Sequence, residues 1–475
     1  MGYDTVYSAG AGLDDDVIQR LRSIIPDGVS TREADRVVYG KDYWPISLRW
    51  LLDGRLPALP DAVIWPETAE QIAGVMRLAN THGFPVIPYG EGSGVVGGTV
   101  PVKGGVMLDM RRMHDILFVD DQGLMARVQT GVNGMTLERE LNRAGYTLGH
   151  IPQSLYCSSL GGWLACRAAG QFSTKYGKIE DMLIALEAVL PDGTIIRSRE
   201  VPRTSTGPRV ERLMLGSEGT LGVVTEATLK IWPYPERRAL HAYTFDDIAD
   251  ALEATRHIMR KNVYPAVMRI YDEHETLRHF DMKHRCMLIL IMEGDPDLVD
   301  LEEAIAARMC TRFNGKDMGT APAERWLDTR FNVKESSEFT PRGFIFDTVE
   351  ISVGWRTALE TYRAVIEAMQ RIPGVIVASG HASHFYPQGV CFYFTFGGLP
   401  RKQTPYDFYR AVWDAIMAAC LEHEGSISHH HGIGLIRQPW LPDELDGRLH
   451  TLHRIKQALD PNRVMNPGKM GGDHD

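Results

Sequence analysis

Two short strings carry residue types able to move protons. Residues 426–434 read Ser426-Ile-Ser-His429-His430-His431-Gly432-Ile-Gly434, and residues 390–396 read Val390-Cys-Phe-Tyr393-Phe-Thr-Phe396. Imidazole is the side chain that changes charge near neutral pH, so His429, His430 and His431 suit anion binding or proton transfer. They make a poor zinc set. Successive side chains on one strand point to opposite faces, and no further His, Cys or carboxylate stands at a ligand spacing. No metal is therefore expected. The plainer alternative for this string is an exposed polar turn. In the second string, alternation puts Cys391, Tyr393 and Thr395 on one face and three phenylalanines on the other, so the first face suits a cavity wall. Its plainer alternative is a core tyrosine with a satisfied hydroxyl.

A third string suits a different task. Pro85-Val-Ile-Pro88-Tyr89-Gly90-Glu91-Gly92-Ser93-Gly94-Val-Val-Gly97-Gly98 leaves a short apolar run for a series of tiny residues. Glycine reaches backbone angles closed to other residues, and successive N–H groups in such a turn make an anion-binding concavity. The stretch predicts a pyrophosphate loop, with a plain glycine-rich hairpin as the alternative. Gly92-Ser-Gly94-Val-Val-Gly97 also fits G-x-G-x-x-G, but a Rossmann loop opens a helix at its last glycine. Here Gly98-Thr-Val-Pro101-Val-Lys-Gly104-Gly105 excludes a helix of useful length, so that match is expected to be false. Further small-residue runs stand at Ser158–Gly170, Ser205–Pro208 and Gly216–Gly222. Glycine inside an element costs roughly 0.5–1 kcal/mol, so four such runs are better explained by a long ligand across several turns than by core packing. That points to a dinucleotide rather than a lone phosphate.

The elements that must hold these strings follow from periodicity. Residues 62–65 (strand), 67–81 (helix) and 86–88 (strand) form a β-α-β unit that delivers the chain into the glycine stretch. A helix over 14–25 precedes it, and the aromatic segment 44–52 reads as irregular and packed on the core. Short strands follow at 106–109, 116–119 and 125–129, then a helix at 135–144 and an apolar strand at 182–190 closed by a turn. Pro233-Tyr-Pro235 marks a change of composition and a domain boundary. Beyond it, helices at 248–261, 297–307 and 355–371 alternate with strands at 287–292, 375–379 and 390–396. Helices at 406–419 and 449–459 flank the histidine string.

Ile64-Trp-Pro-Glu-Thr68, Pro88-Tyr-Gly-Glu-Gly-Ser-Gly94, Leu190-Pro-Asp-Gly193 and Gly216-Ser-Glu-Gly-Thr-Leu-Gly-Val-Val-Thr225 resemble, in order, the characteristic strings of the vanillyl-alcohol oxidase/p-cresol methylhydroxylase flavoproteins. The resemblance implies an α+β fold: a two-subdomain FAD-binding domain (1–240), an α+β cap that encloses substrate (241–420), and a C-terminal segment (421–475) returning to the flavin. It puts the FAD pyrophosphate on Pro88, Tyr89, Gly90, Glu91, Gly92, Ser93 and Gly94. It puts the isoalloxazine near three segments. These are Gln153, Ser154, Leu155, Tyr156, Cys157, Ser158 and Ser159; Cys166, Arg167, Ala168 and Ala169; and Glu218, Gly219, Thr220, Leu221, Gly222, Val223 and Val224. Some relatives attach FAD through His or Cys. The glycine loop has neither, so non-covalent FAD is expected.

Within that superfamily the chain is most similar to the alkyldihydroxyacetonephosphate synthase family of ether-lipid synthesis. The similarity rests on the His-His-His-Gly turn, the Tyr in an aromatic strand, Leu51-Leu-Asp-Gly, Gly161-Gly-Trp163, Tyr176-Gly-Lys-Ile-Glu-Asp181, Ser205-Thr-Gly-Pro208 and Pro439-Trp440-Leu441. Glycolate-oxidase and D-lactate-dehydrogenase relatives usually carry Glu-His-Gly where this chain has His430-His431-Gly432. In the synthases the tyrosine takes a proton from substrate carbon, flavin N5 forms an adduct, and a fatty alcohol replaces the departing acyl group. At one position the chain departs from them. Where they hold substrate phosphate with an arginine, this chain has His381, although Arg342 matches a second arginine. A neutral imidazole substitutes poorly for a guanidinium against phosphate.

The first expectation is therefore an FAD-dependent oxidoreductase that oxidises an alcohol or 2-hydroxy acid by hydride transfer to flavin N5. Tyr393 or one of His429–His431 takes the hydroxyl proton, and Arg342 and His381 contact substrate. The alternative is the synthase-like exchange of acyl for alkyl, with a lipid-like substrate. At 475 residues two domains are the prior, and a net charge of −10 without a basic cluster argues against nucleic acid. Six cysteines without C-x-x-C spacing suggest free thiols. The N-terminus lacks a signal-peptide pattern and no apolar run approaches a membrane span. A cytoplasmic homodimer is expected, and peripheral contact with a membrane stays open.

Overall fold

The computed structural model describes residues 12–54, 56–332, 340–400 and 402–471. The extreme N-terminus read above for a signal peptide lies outside them. The first sheet contains β1 (Val29–Ser30), β2 (Ala62–Ile64), β3 (Val86–Tyr89) and β4 (Val106–Asp109) in the order β1-β2-β4-β3. β2 and β3 both run parallel to β4, which lies between them. The helix Ala69–His82 joins β2 to β3. Thr68 starts it by accepting the Gln71 N–H, and Gly83, at φ 72°, ends it in the left-handed conformation that glycine tolerates. Ile72, Val75, Met76 and Ala79 bury its apolar stripe. The spacing thus predicted this unit. After the glycine stretch the chain turns and enters β4 without a helix, so the G-x-G-x-x-G match does not make a Rossmann loop.

The second sheet is antiparallel: β5 (Ile116–Asp120), β6 (Met125–Gln129), β8 (Leu183–Val189), β9 (Ile195–Arg197) and β10 (Val223–Lys230), ordered β5-β6-β10-β8-β9. A separate pair joins β7 (Tyr146–Thr147) to β11 (Trp232–Pro233). The third sheet has seven antiparallel strands. They are β12 (Arg237–Phe245), β13 (Val267–Tyr271), β14 (Cys286–Gly294), β15 (Lys316–Asp317), β16 (Ile345–Gly354), β17 (Val375–Phe385) and β18 (Gly389–Gly398), in the order β15-β12-β14-β13-β17-β18-β16.

Strand alternation sorts this sheet into two faces. Phe392, Phe394 and Phe396 of β18 and Val349, Ile351 and Val353 of β16 pack with the helices Ile248–Met259, Ala358–Gln370 and Pro405–Glu422 in one core. The opposite face of β16–β18 is polar. The aromatic segment 44–52 differs from the expected irregular form: Pro45–Leu52 is a helix. Pro45 occupies its first turn, where the missing N–H costs nothing, and Ile46 and Trp50 fall one turn apart on its buried side. All six cysteines are free thiols. Among the described residues no helix is long and apolar enough to cross a membrane.

Candidate active site

The polar face of the third sheet aligns three side chains across neighbouring strands. Tyr393 of β18 stands opposite His381 of β17 and Glu350 of β16. The Tyr393 and His381 rings stack, 4.7 Å apart and 14° from parallel. His429, His430 and His431 then close over this face from a bend rather than a strand, so the expected alternation of their side chains does not apply. What makes the bend is Glu350. Its carboxylate, wholly buried, accepts the N–H of His429 (2.5 Å) and of His431 (2.9 Å), the Ser428 hydroxyl (3.1 Å) and an Arg437 N–H (3.1 Å). Burial alone would raise the Glu350 carboxyl, but the Arg437 guanidinium first, then His431 and His429 as they protonate in acid, bring it down to about 2, so it is charged at pH 7. Arg437, also fully buried, spans the turn by donating to the Gly432 carbonyl.

This geometry collects the rings around the Tyr393 hydroxyl. The phenol lies 2.6 Å from His430 Nε2 and 3.3 Å from His384 Nε2, and His384 Nδ1 meets the Ser173 hydroxyl at 2.6 Å. Burial pushes His384, His429 and His430 well below the usual imidazole range and His431 to about 4, so all four are neutral at pH 7. Burial pushes the Tyr393 phenol well above its usual range. A phenol in that state gives up its proton only when a neighbour takes it, and His430 Nε2 is in place to do so. Nitrogens of His384, His429 and His430 lie within 4.8 Å of one another, as in a metal centre. Each ring, however, spends both nitrogens on protein partners. That pattern is one for moving protons.

Three of the four small-residue runs meet beside this cluster, while Ser205–Pro208 is exposed, with nothing within 4 Å of a Cβ on Gly207. A Cβ on Gly90 would lie 2.1 Å from Ser159 Oγ, so the glycine stretch presses on the start of the helix Leu160–Cys166, which Ser159 caps. Glu91 accepts both its hydrogen bonds from Asn133, at 3.0 Å. Gly219 packs on Pro88, where its Cβ would approach the ring to 3.0 Å. Between loop and turn stands Glu218, buried and at φ 50°. Its carboxylate accepts the Ile433 N–H (2.5 Å) and the Gly434 N–H (2.8 Å), while its carbonyl accepts the Asn466 amide (2.7 Å). Gly434 is needed because a Cβ there would strike the Val96 carbonyl at 2.2 Å. The C-terminal residues therefore lie against the glycine loop.

The cradle fits a dinucleotide phosphate. The N–H groups of residues 91–96 donate to no other described residue, leaving a run of unspent donors in a loop that lacks bulky side chains. Among the expected residues, Gly90 meets Ser159, Pro88 meets Gly219, and the Glu218 N–H donates to the Ala165 carbonyl at 3.0 Å, one residue before Cys166, whereas Val223 and Val224 run into β10. Gln153, Tyr156 and Cys157 form an exposed turn, and Tyr156 meets the loop through Asn133. Arg342 is not brought in: it is exposed in the turn before β16. Sequence reasoning missed Arg269, which donates to His381 Nε2 at 2.7 Å from β13 and has no acidic partner among the described residues. It missed Glu350, Arg437, His384, Ser173 and Tyr386 as well. The one available signal was parity: Glu350 is the lone acid between Val349 and Ile351 in a buried strand.

Residues 60–199 match the family model for the FAD binding domain, and residues 234–470 match that for the C-terminal domain of FAD-linked oxidases. Alkyldihydroxyacetonephosphate synthase of Dictyostelium discoideum is 31% identical over 490 residues, covering 94% of this chain and 79% of that protein. The FAD-linked oxidoreductase YgcU of Escherichia coli is 31% identical, covering 86% and 88%. Among solved structures, an alkyldihydroxyacetonephosphate synthase superposes with a TM-score of 0.81 at 27% identity, covering 99% of this chain and 88% of that one. p-Cresol methylhydroxylase superposes at 0.76 with 18% identity over 98% of each chain, a likeness of fold.

Proposed function

The chain belongs to the FAD-linked oxidases, with FAD as cofactor, and from that premise we propose an oxidoreductase that oxidises a hydroxyl-bearing substrate, an alcohol or a 2-hydroxy acid. Bound FAD supplies the two-electron acceptor. The observation that carries the reading is the Tyr393 phenol set 2.6 Å from a neutral imidazole, an arrangement able to take a hydroxyl proton as the neighbouring C–H bond breaks. In this reading His381 and Arg269 contact the substrate: His381 stacks on the Tyr393 ring, and the Arg269 guanidinium beside it offers a positive charge to an acidic group.

A second reading has its own support. Exchange of acyl for alkyl needs a phosphate anchor, and Arg269 brings a guanidinium to the place where His381 replaces one. In that reading Tyr393 takes its proton from carbon. Anaerobic mixing of the holoenzyme with alcohols and 2-hydroxy acids separates the two. Bleaching of the flavin absorbance is the expected result. No bleaching across the series, together with incorporation of labelled hexadecanol into acyl-dihydroxyacetone phosphate, would replace the first reading by the second.

A further inference from the structure

The hydrogen bonds around Tyr393 do not stop at His430. His430 Nδ1 lies 2.9 Å from His429 Nδ1, and His429 Nε2 lies 2.8 Å from the Tyr386 hydroxyl. Tyr386 is half-buried and precedes the exposed Pro387 and Gln388 at the tip of the β17–β18 hairpin. Four groups thus make an unbroken line from the buried phenol to a half-buried tyrosine beside an exposed hairpin tip. We propose that His430, His429 and Tyr386 form a proton relay that connects Tyr393 to bulk water, with Tyr386 as its outlet. The proposal rests on Tyr393 being the acid–base group, whichever reaction it serves.

The stoichiometry closes. The Tyr393 O–H breaks and His430 Nε2–H forms. His430 Nδ1–H breaks and His429 Nδ1–H forms. His429 Nε2–H breaks and its proton passes to the Tyr386 oxygen, whose own proton goes to water. One proton leaves, Tyr393 becomes phenolate, and nothing is oxidised or reduced. An inward pass restores both rings. The geometry requires the two neutral imidazoles to be opposite tautomers, because only one of two Nδ1 atoms in contact carries the shared hydrogen. Glu350 supports the relay without joining it, since its carboxylate is spent on the backbone N–H groups of His429 and His431. Lys178 secures the outlet end: its ammonium donates to the His429 carbonyl at 2.6 Å and lies 3.5 Å from Glu180. The Ser173–His384 pair is a closed side branch, because His384 Nδ1 ends on a buried serine.

The test uses holoenzyme labelled with 15N-histidine, without substrate, so it is independent of the reaction assigned above. Nitrogen shifts are expected to show His429 and His430 as neutral, opposite tautomers. The solvent exchange rate of the shared imidazole N–H is expected to fall at least tenfold in Tyr386→Phe, which removes the outlet hydroxyl and keeps the ring. Tyr386→His, which restores a group able to accept and donate, is expected to recover most of that rate. FAD content and melting temperature measured alongside separate these effects from misfolding. Two rings protonated at the same nitrogen, or an exchange rate unchanged in Tyr386→Phe, would overturn the relay.

Discussion

Glu350→Gln removes one charge from beneath the histidine turn, and two independent routes give its cost. Glu350 and Arg437 are both fully buried, 3.1 Å apart. The amide keeps the shape but leaves the guanidinium uncompensated, and breaking such a pair costs about 3–5 kcal/mol. Linkage gives the second figure. The Glu350 carboxyl goes from an ordinary 4.5 to about 2 on folding. At about 1.4 kcal/mol per unit, the native surroundings favour its charged form by about 3 kcal/mol. Because the folded value is lowered, the unfolded chain binds more protons between about pH 2 and 4.5, so the contribution is complete above that window and lost as pH falls through it. At pH 3.5 about 2 kcal/mol of it remains. Urea unfolding of both proteins, followed by tryptophan fluorescence, should show a gap of about 3 kcal/mol at pH 7 that narrows by about 1 kcal/mol at pH 3.5. A gap below about 1 kcal/mol, or one independent of pH, would refute Glu350 as the charged anchor of the turn.

Three further perturbations test other parts of the site. Gly90→Ala should lower FAD retention and cost about 1–3 kcal/mol, because its Cβ meets Ser159 Oγ at 2.1 Å, whereas Gly447→Ala, with nothing within 4 Å, should be silent in the same melts. Tyr393→Phe should reduce turnover by about 10²- to 10⁴-fold with normal FAD content, read by steady-state rates and flavin absorbance. Arg269→Gln should raise KM for acidic substrates about tenfold or more and leave neutral alcohols unchanged, since it deletes one charge-assisted hydrogen bond.

The β-α-β entry, the false Rossmann match and the two faces of β18 were legible because each depends on local periodicity or on where proline and glycine stand. Strand parity put Tyr393 on the polar face before its neighbours were known. The histidine string was harder. Its bend comes from the Glu350 carboxylate, 79 and 81 residues away in the chain, and no local pattern contains that bond. Arg269 escaped for a similar reason: a single arginine in a buried strand reads as a side chain turned to solvent until β17 brings His381 against it. Arg342 failed in the opposite direction, since a matching residue does not fix the path of the loop that carries it.

Glu218 also constrains the order in which the protein can be made. Its carboxylate binds residues 215 and 216 positions later, and Asn466 reaches back 368 positions to the Gly98 carbonyl. A chain still emerging from the ribosome has the glycine loop and the first two sheets but lacks the segment that closes over them. The loop therefore takes its final surroundings only after contacts of very large sequence separation have formed. In the proposed arrangement, retention of FAD then reports that residues 433–466 have docked on the loop.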